Sequence, residues 1–141
     1  MEFGDITILK NICFSDGKVD HSYKYGRPCI YIGENLDNMY FIPLSDLNFN
    51  IKEKHYIIVP TKENRLLKKS RIRVLELVER PIAFYEIYGN LGYFELQKLI
   101  RALRTSYKEE DPNFKLVNEL IDKYINYSDS ETKNKTCYYK K

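Results

Sequence analysis

The chain has 141 residues, of which 43% are apolar and 30% charged, the size and composition of one ordinary globular domain. It has no apolar run near the ~20 residues that span a bilayer, and its start lacks the basic-then-apolar layout of a signal peptide. We therefore expect a cytoplasmic protein that makes no membrane contact, and the net charge of +3 is too small to indicate a partner by itself.

The first two-thirds of the chain predicts short β-strands separated by turns. Residues 13–27 contain Ser15-Asp16-Gly17 and Gly26, which predict a long loop. Pro28 suits the first position of a buried strand, and Pro81 interrupts an alternating pattern. The predicted strand segments are 5–12, 28–33, 39–43, 56–60, 71–79 and 82–88.

The last third changes to a helical period. Apolar residues Leu96, Leu99, Ile100 and Leu103 predict a helix over 92–104. Asp111 as N-cap and Pro112 as first helical residue predict a second amphipathic helix, whose apolar stripe runs over 114–125.

The predicted fold class is therefore α+β, with a compact curled β-barrel followed by two C-terminal amphipathic helices. One domain occupies residues 1–127. Residues 128–141 have almost no aliphatic side chains and predict a polar, basic tail.

Cysteine and histidine usage bears on metal chemistry. The three cysteines are odd in number and widely spaced, which argues against both a disulfide framework and a zinc site. We expect Cys13 and Cys29, which stand among apolar residues, to fill the core, and Cys137 to be exposed. With only His21 and His55 as histidines, we expect no cofactor, no metal and metal-free catalysis.

Positive charge is concentrated in two segments. Residues 61–73 hold six basic residues and one acid, a net charge of +5, so the rest of the chain sums to −2. Residues 133–141 add four lysines and no acid. Thirteen tyrosines supply possible stacking faces for unpaired bases. These features favour a polyanionic partner such as RNA, although charged runs are also typical of solvated loops.

Three short motifs follow one another along the chain. They are Gly4-Asp5-Ile6, Gly26-Arg27-Pro28 and Phe41-Ile42-Pro43-Leu44-Ser45. In this order they resemble the MazF/Kid/PemK toxin superfamily over roughly residues 4–104, and residues 89–103 are similar to that fold's late helix. The length, the many tyrosines and lysines, and the extra helix are more similar to the ToxN/AbiQ/CptN/TenpN toxins of type III toxin–antitoxin systems.

The resemblance implies a MazF/Kid-like, SH3-like barrel with helices attached. It also implies sequence-selective, metal-independent cleavage of single-stranded RNA. The partners it implies are an antitoxin made of RNA pseudoknot repeats and a closed ring-like protein–RNA assembly. Asp46 departs from the pattern, because the family often has a second hydroxyl residue there.

Metal-free RNA cleavage needs a proton acceptor, a cation for the phosphate and a proton donor for the leaving oxygen. Arg27 is the candidate cation, since its guanidinium fork suits phosphate oxygens, and Gly26 before it would let an RNA backbone approach. Ser45 is the candidate hydroxyl at the phosphate, and His21 the candidate proton-transfer group. The alternatives are that Arg27 pairs with an acid, that Ser45 caps a turn or helix, and that His21 is a bystander.

The remaining predicted site residues would bind RNA, and Lys68, Lys69, Arg71 and Arg73 among them would contact its backbone without reading its sequence. The full set is Lys24, Tyr25, Lys52, Lys54, Lys68, Lys69, Arg71 and Arg73. Two other functions stay open at this point. One is a MazF/Kid-like toxin neutralised by a protein antitoxin, and the other is a non-catalytic module that binds single-stranded RNA.

Overall fold

A computed structural model of the chain describes residues 1–14, 17, 26–47 and 56–139, with side chains described as far as residue 128. Within these residues, seven strands precede two helices. The strands are β1 (Asp5–Leu9), β2 (Arg27–Glu34), β3 (Asn38–Asp46), β4 (Tyr56–Ile58), β5 (Ser70–Ile72), β6 (Val78–Pro81) and β7 (Gly89–Asn90). The helices are α1 (Tyr93–Ser106) and α2 (Phe114–Tyr139).

All described strand pairs are antiparallel, and β3 is the central strand. The sheet runs in the order β4-β5-β3-β2-β1-β7. Strand β6 pairs with the first half of β3, and β5 pairs with its second half on the same edge. The fold class is α+β, as the sequence predicts.

The sheet curls into a half-barrel, which brings its two ends together. The backbone amide of Asn90, on β7, donates to the carbonyl oxygen of Glu63 at 3.0 Å. The hydroxyl of Tyr88 donates to the carbonyl oxygen of Arg65 at 2.8 Å. Glu63 and Arg65 belong to the loop that joins β4 to β5, so this loop faces the edge strand β7.

Strand alternation buries both faces of the central strands. One face carries Ile30, Ile32 and Ile42 into the main core, which both helices cover. The opposite face, called the outer face below, carries Cys29, Tyr31 and Phe41 into a second apolar cluster. Helices therefore pack on one face only, and the outer face is left for other contacts.

Glycine permits the close approach of α2 to β2. The register between β2 and β3 shifts between Tyr31 and Gly33, and Gly33 has φ +125°. A Cβ at this position would lie 3.1 Å from Leu120 Cδ2 on α2. The bulge and the helix packing thus depend on the same small residue.

Several predicted boundaries differ from the structure. The 82–88 segment has no strand, and the 71–79 pattern divides into β5 and the start of β6. Asp111 is not the N-cap of α2, because its carboxylate accepts from the Lys108 amide at 2.7 Å and the helix begins at Phe114. Cys29 is buried as expected, whereas Cys13 is exposed.

The backbone of α2 remains helical to Tyr139, through most of the predicted tail. A lack of aliphatic residues indicates that a segment has no apolar stripe for packing, but it does not prevent the backbone from being helical. Among the described residues, no helix combines the length and apolar character needed to cross a bilayer.

Candidate functional site

Arg27 begins β2 at the edge of the outer face. Its side chain is buried, with 7% of the residue exposed, and Nη1 donates to the carbonyl oxygen of Leu44 at 2.7 Å. The preceding Gly26 has φ +98°, and a Cβ there would lie 2.7 Å from the Leu9 carbonyl oxygen. The space at Gly26 is therefore filled by the chain's own strand β1, which fixes the entry into β2.

Ser45 lies inside β3, directly opposite Arg71 on β5. It is 5% exposed, and its Oγ has no hydrogen-bond partner among the described residues. A buried hydroxyl without a partner costs about 1–3 kcal/mol. Since Ser45 is within a strand and its hydroxyl caps nothing, the alternative of a turn or helix cap does not hold. The unused hydroxyl is available to a ligand atom.

Arg71 and Arg73 were predicted to contact RNA backbone, but their side chains are largely buried. Arg71 is 9% exposed, and its Nη2 donates to the Leu47 carbonyl oxygen at 3.1 Å. The Arg73 guanidinium lies 3.4 Å from the Glu76 carboxylate, and both side chains are 11% exposed. Their guanidinium groups are thus held by neighbouring backbone and acid rather than extended into solvent.

The strand register places these residues on one face. Ser45 and Arg71 are direct partners, and Arg73 follows two positions later. Cys29 pairs with Pro43. Arg27 lies two positions before Cys29 and Ser45 two positions after Pro43, so both also lie on the outer face. We call Arg27, Arg71 and Arg73 the arginine cluster.

An aromatic ring joins two members of the cluster. Phe14 presents its ring to Arg27 and Arg73, whose Cζ atoms lie 5.5 and 5.1 Å from the ring centroid. Both distances are within the range of a cation–π contact. Sequence reasoning missed Phe14, because a single phenylalanine before a polar loop carries no signal of its own.

Lys68, one of the predicted lysines, lies at the exposed rim of the site. Lys68 forms an ion pair with Asp46, with Nζ 2.6 Å from Oδ1 and the side chains 63% and 39% exposed. Such an exposed pair contributes at most about 1 kcal/mol to stability. Lys69 is also exposed. Asp46 therefore serves as a partner for Lys68.

A pocket of about 380 Å³ opens beside the last residues of β1 and β3 and the first residues of β2 and β5. Arg27 and Ser45, which are 18 positions apart in the sequence, line this same pocket. Half of the other lining residues have aliphatic side chains: Ile8, Pro28, Leu44, Leu66 and Leu67. The adjacent Leu66 and Leu67 are an apolar pair within the basic segment, a signal that sequence reasoning overlooked.

Five predicted site residues lie outside the described residues. They are His21, Lys24, Tyr25, Lys52 and Lys54. Their contact with the pocket stays a prediction. Within the described ranges, the structure brings together Arg27, Ser45 and Lys68, and it places Arg71 on the neighbouring strand β5 and Arg73 directly after that strand.

A second, larger groove of about 730 Å³ lies between the chain start and the helices. Tyr31 lines this groove, and burial together with the nearby Glu34 carboxylate raises its pKa to about 12. The phenol therefore remains protonated at neutral pH and does not serve as a base there.

The arginine cluster provides fixed positive charge at a partly enclosed position. Guanidinium groups stay protonated and offer paired donors to phosphate or carboxylate oxygens. Combined with the unused Ser45 hydroxyl, the arrangement is suited to binding an oxyanion. In the described part of the chain, no group of three or more His, Cys, Asp or Glu residues is placed to hold a metal ion.

Comparison with known proteins gives no family for this chain. No protein-family model matches the sequence, and no curated protein matches it.

Proposed function

We propose that this protein is the endoribonuclease toxin of a toxin–antitoxin system, of the MazF/Kid-like kind and closest to the type III toxins. It would cleave single-stranded RNA selectively and without a metal. The observation that carries the proposal is that Arg27 and Ser45, chosen from separate motifs, line one pocket beside two further arginines. The curled antiparallel sheet with two C-terminal helices is compatible with the barrel that the family resemblance implies.

The proposed reaction is an internal transfer at phosphorus. The ribose 2′-oxygen attacks the adjacent phosphate and forms an O2′–P bond, while the P–O5′ bond breaks. The products are a 2′,3′-cyclic phosphate and a 5′-hydroxyl. The 2′-hydroxyl proton passes to a base, and the leaving 5′-oxygen gains a proton, so the step consumes no water.

Arg27 would stabilise the negative charge that develops on the phosphate oxygens. Its burial reduces competition from water, and the Leu44 carbonyl fixes one arm of the guanidinium. Ser45 would donate its hydroxyl to a phosphate oxygen, which satisfies a group that is otherwise buried without a partner. His21 is the proposed proton-transfer residue.

The antitoxin is proposed to be a repeated RNA pseudoknot that occupies the same basic surface as the substrate. The exposed Lys68 and Lys69 beside the arginine cluster support a polyanionic inhibitor. If toxin and RNA molecules alternate head to tail, the assembly would close into a ring. A tandem DNA repeat upstream of the coding region would favour the RNA antitoxin, whereas a short reading frame would favour a protein antitoxin.

The decisive experiment is cleavage of a long single-stranded RNA by purified protein in EDTA, with analysis of fragment ends. Arg27→Ala should lower the cleavage rate by about 100- to 1000-fold, the usual effect of removing an electrostatic donor. Arg27→Lys keeps the charge but loses the fork, and it should be intermediate. Arg101→Ala, which changes an exposed arginine on α1, is the matched control.

Circular dichroism of each variant separates lost chemistry from lost folding. Equal cleavage by wild type and a folded Arg27→Ala variant would overturn the site assignment. Clean wild-type protein that binds single-stranded RNA but never cuts it would select the non-catalytic RNA-binding module instead.

A further inference from the structure

The pocket beside Arg27 differs chemically from the arginine cluster. Its lining surface is mainly apolar, and among the described residues that line it the charged ones are Arg27 on one wall and the Lys68–Asp46 pair at the rim. Arg27 and Ser45 supply phosphate donors at one wall, whereas a phosphate placed deeper, among the aliphatic residues, would lose hydration without donors to replace it. The pocket therefore suits an uncharged group that is attached to a phosphate.

We infer that this pocket holds one unpaired nucleobase of the RNA whose phosphate contacts Arg27, and that Leu67 determines how tightly that base is held. The inference rests on the proposed function, since it adds a base-binding element to the same site. A base is flat, apolar on its faces and polar at its edges, so it can contact aliphatic walls and still reach polar groups at the rim.

The size of the pocket favours a single small group. Its volume of about 380 Å³ is at the lower end of the roughly 300–1000 Å³ found for small-molecule sites. Arg27 on one wall would bind the attached phosphate, so the charges of the pocket and of a nucleotide are complementary.

Leu67 is the most informative residue of the pocket. It is 93% exposed although it is a leucine in a basic loop, whereas the adjacent Leu66 is 8% exposed and belongs to the main core. An exposed leucine contributes little to folding, but it can cover the face of a bound base. Truncating Leu67 should therefore alter binding without altering the fold.

The loop that carries Leu67 is held in place by hydrogen bonds. Asn64 is fully buried, and its side chain accepts from the Thr61 and Leu66 amides while donating to the Val59 carbonyl oxygen. Tyr88, which also lines the pocket, is tied to the same loop through the Arg65 carbonyl oxygen. The leucine side of the pocket is thus preformed.

The test measures binding of 2′-O-methylated single-stranded oligonucleotides, which lack the attacking hydroxyl and are not cut. A base-containing oligonucleotide is compared with one of equal length and charge made of abasic units. We expect wild type to bind the base-containing probe more tightly. Leu67→Ala should weaken that binding by about fivefold and leave abasic binding unchanged.

Two control variants define the effect. Phe84→Ala truncates another side chain that is 93% exposed but does not line this pocket, and it should bind both probes like wild type. Leu67→Met keeps a flexible apolar side chain and should restore most of the affinity. Unchanged binding by Leu67→Ala, or equal affinity of wild type for both probes, would overturn the base pocket.

The base pocket and the nuclease proposal fail separately. If wild type cuts RNA and Leu67→Ala has the same cleavage pattern and oligonucleotide affinity, the nuclease stands and the base pocket falls. If wild type cuts no RNA but Leu67→Ala selectively loses affinity for bases, the pocket stands and the nuclease falls.

Discussion

Arg27 and Arg73 approach the same aromatic ring, with Cζ atoms 5.5 and 5.1 Å from the centroid of Phe14. Arg27 begins β2, and Arg73 directly follows β5, so Phe14 links two cations that β3 separates in the sheet. The ring attracts both guanidinium groups through its negative face, which eases their placement near one another. Phe14 is thus a positioning residue for the arginine cluster.

Replacing Phe14 by leucine tests this role. Phe14→Leu keeps apolar bulk but removes the π face, so we expect the free energy of unfolding to fall by about 1–2 kcal/mol. Phe14→Tyr keeps the ring and should stay within about 0.5 kcal/mol of wild type. Urea unfolding measures both. Equal stability of the leucine and tyrosine variants would show that the ring face contributes nothing.

Gly26 offers a test of why glycine precedes Arg27. Gly26→Ala should destabilise the fold by at least about 2 kcal/mol, because the new Cβ would lie 2.7 Å from both Ile8 Cγ2 and the Leu9 carbonyl oxygen. Gly92→Ala is the control, since Gly92 also has a positive φ, +77°, but nothing within 4 Å of its Cβ position. Thermal unfolding compares the two variants. A smaller loss for Gly26→Ala than for Gly92→Ala would argue that Gly26 serves ligand approach instead.

Much of the fold follows from patterns in the sequence. The apolar run 28–33 lies within β2, and residues 39–43 lie within β3. Both were recognisable because a strand that is buried on both faces has a continuous apolar sequence. The four-residue helical stripe of Leu96, Leu99, Ile100 and Leu103 lies within α1, and its last three members are buried. These elements are specified locally, so local reasoning finds them.

Other features depend on contacts that are distant in sequence. The segment 82–88 alternates like a strand, but the structure has no strand there. Its apolar residues Ile82, Phe84 and Ile87 are exposed, so no neighbouring element covers them. The start of α2 differs from the prediction for a local reason, because the Asp111 carboxylate accepts from the Lys108 amide in the preceding turn. Single-residue preferences cannot rank such competing partners.

The candidate site was predictable in part. Arg27 and Ser45 came from motifs, and the structure places both at one pocket. Phe14, Leu66 and Leu67 were missed because their importance arises from curling of the sheet, which brings the β4–β5 loop beside the start of β2. Composition of the basic segment indicated its charge but not that Arg71 would be buried opposite Ser45.

Asn64 should stabilise the loop that carries Leu67. Its side chain is fully buried and satisfies the Thr61 and Leu66 amides and the Val59 carbonyl. Asn64→Ala leaves those groups unpaired, so we expect a loss of about 2–4 kcal/mol in unfolding free energy. Asn64→Asp keeps the acceptor oxygen but not the donor, and it should lose less. Chemical denaturation ranks the three proteins, and an alanine variant as stable as the aspartate variant would contradict this account.

Tyr31 should make the fold sensitive to alkaline pH. Burial, followed by the charge and hydrogen bond of Glu34, raises the pKa of the Tyr31 phenol from 10.0 to about 12. The unfolded chain therefore releases this proton first, so the stabilisation is complete below pH 10 and is lost as the pH rises to about 12, at no more than about 1.4 kcal/mol per pH unit. Over that interval wild type should lose stability more steeply than Tyr31→Phe, and Glu34→Gln should fall between them because burial is the larger cause. Urea unfolding at stepped pH checks this, and parallel curves for wild type and Tyr31→Phe would show that the phenol titrates alike in both states.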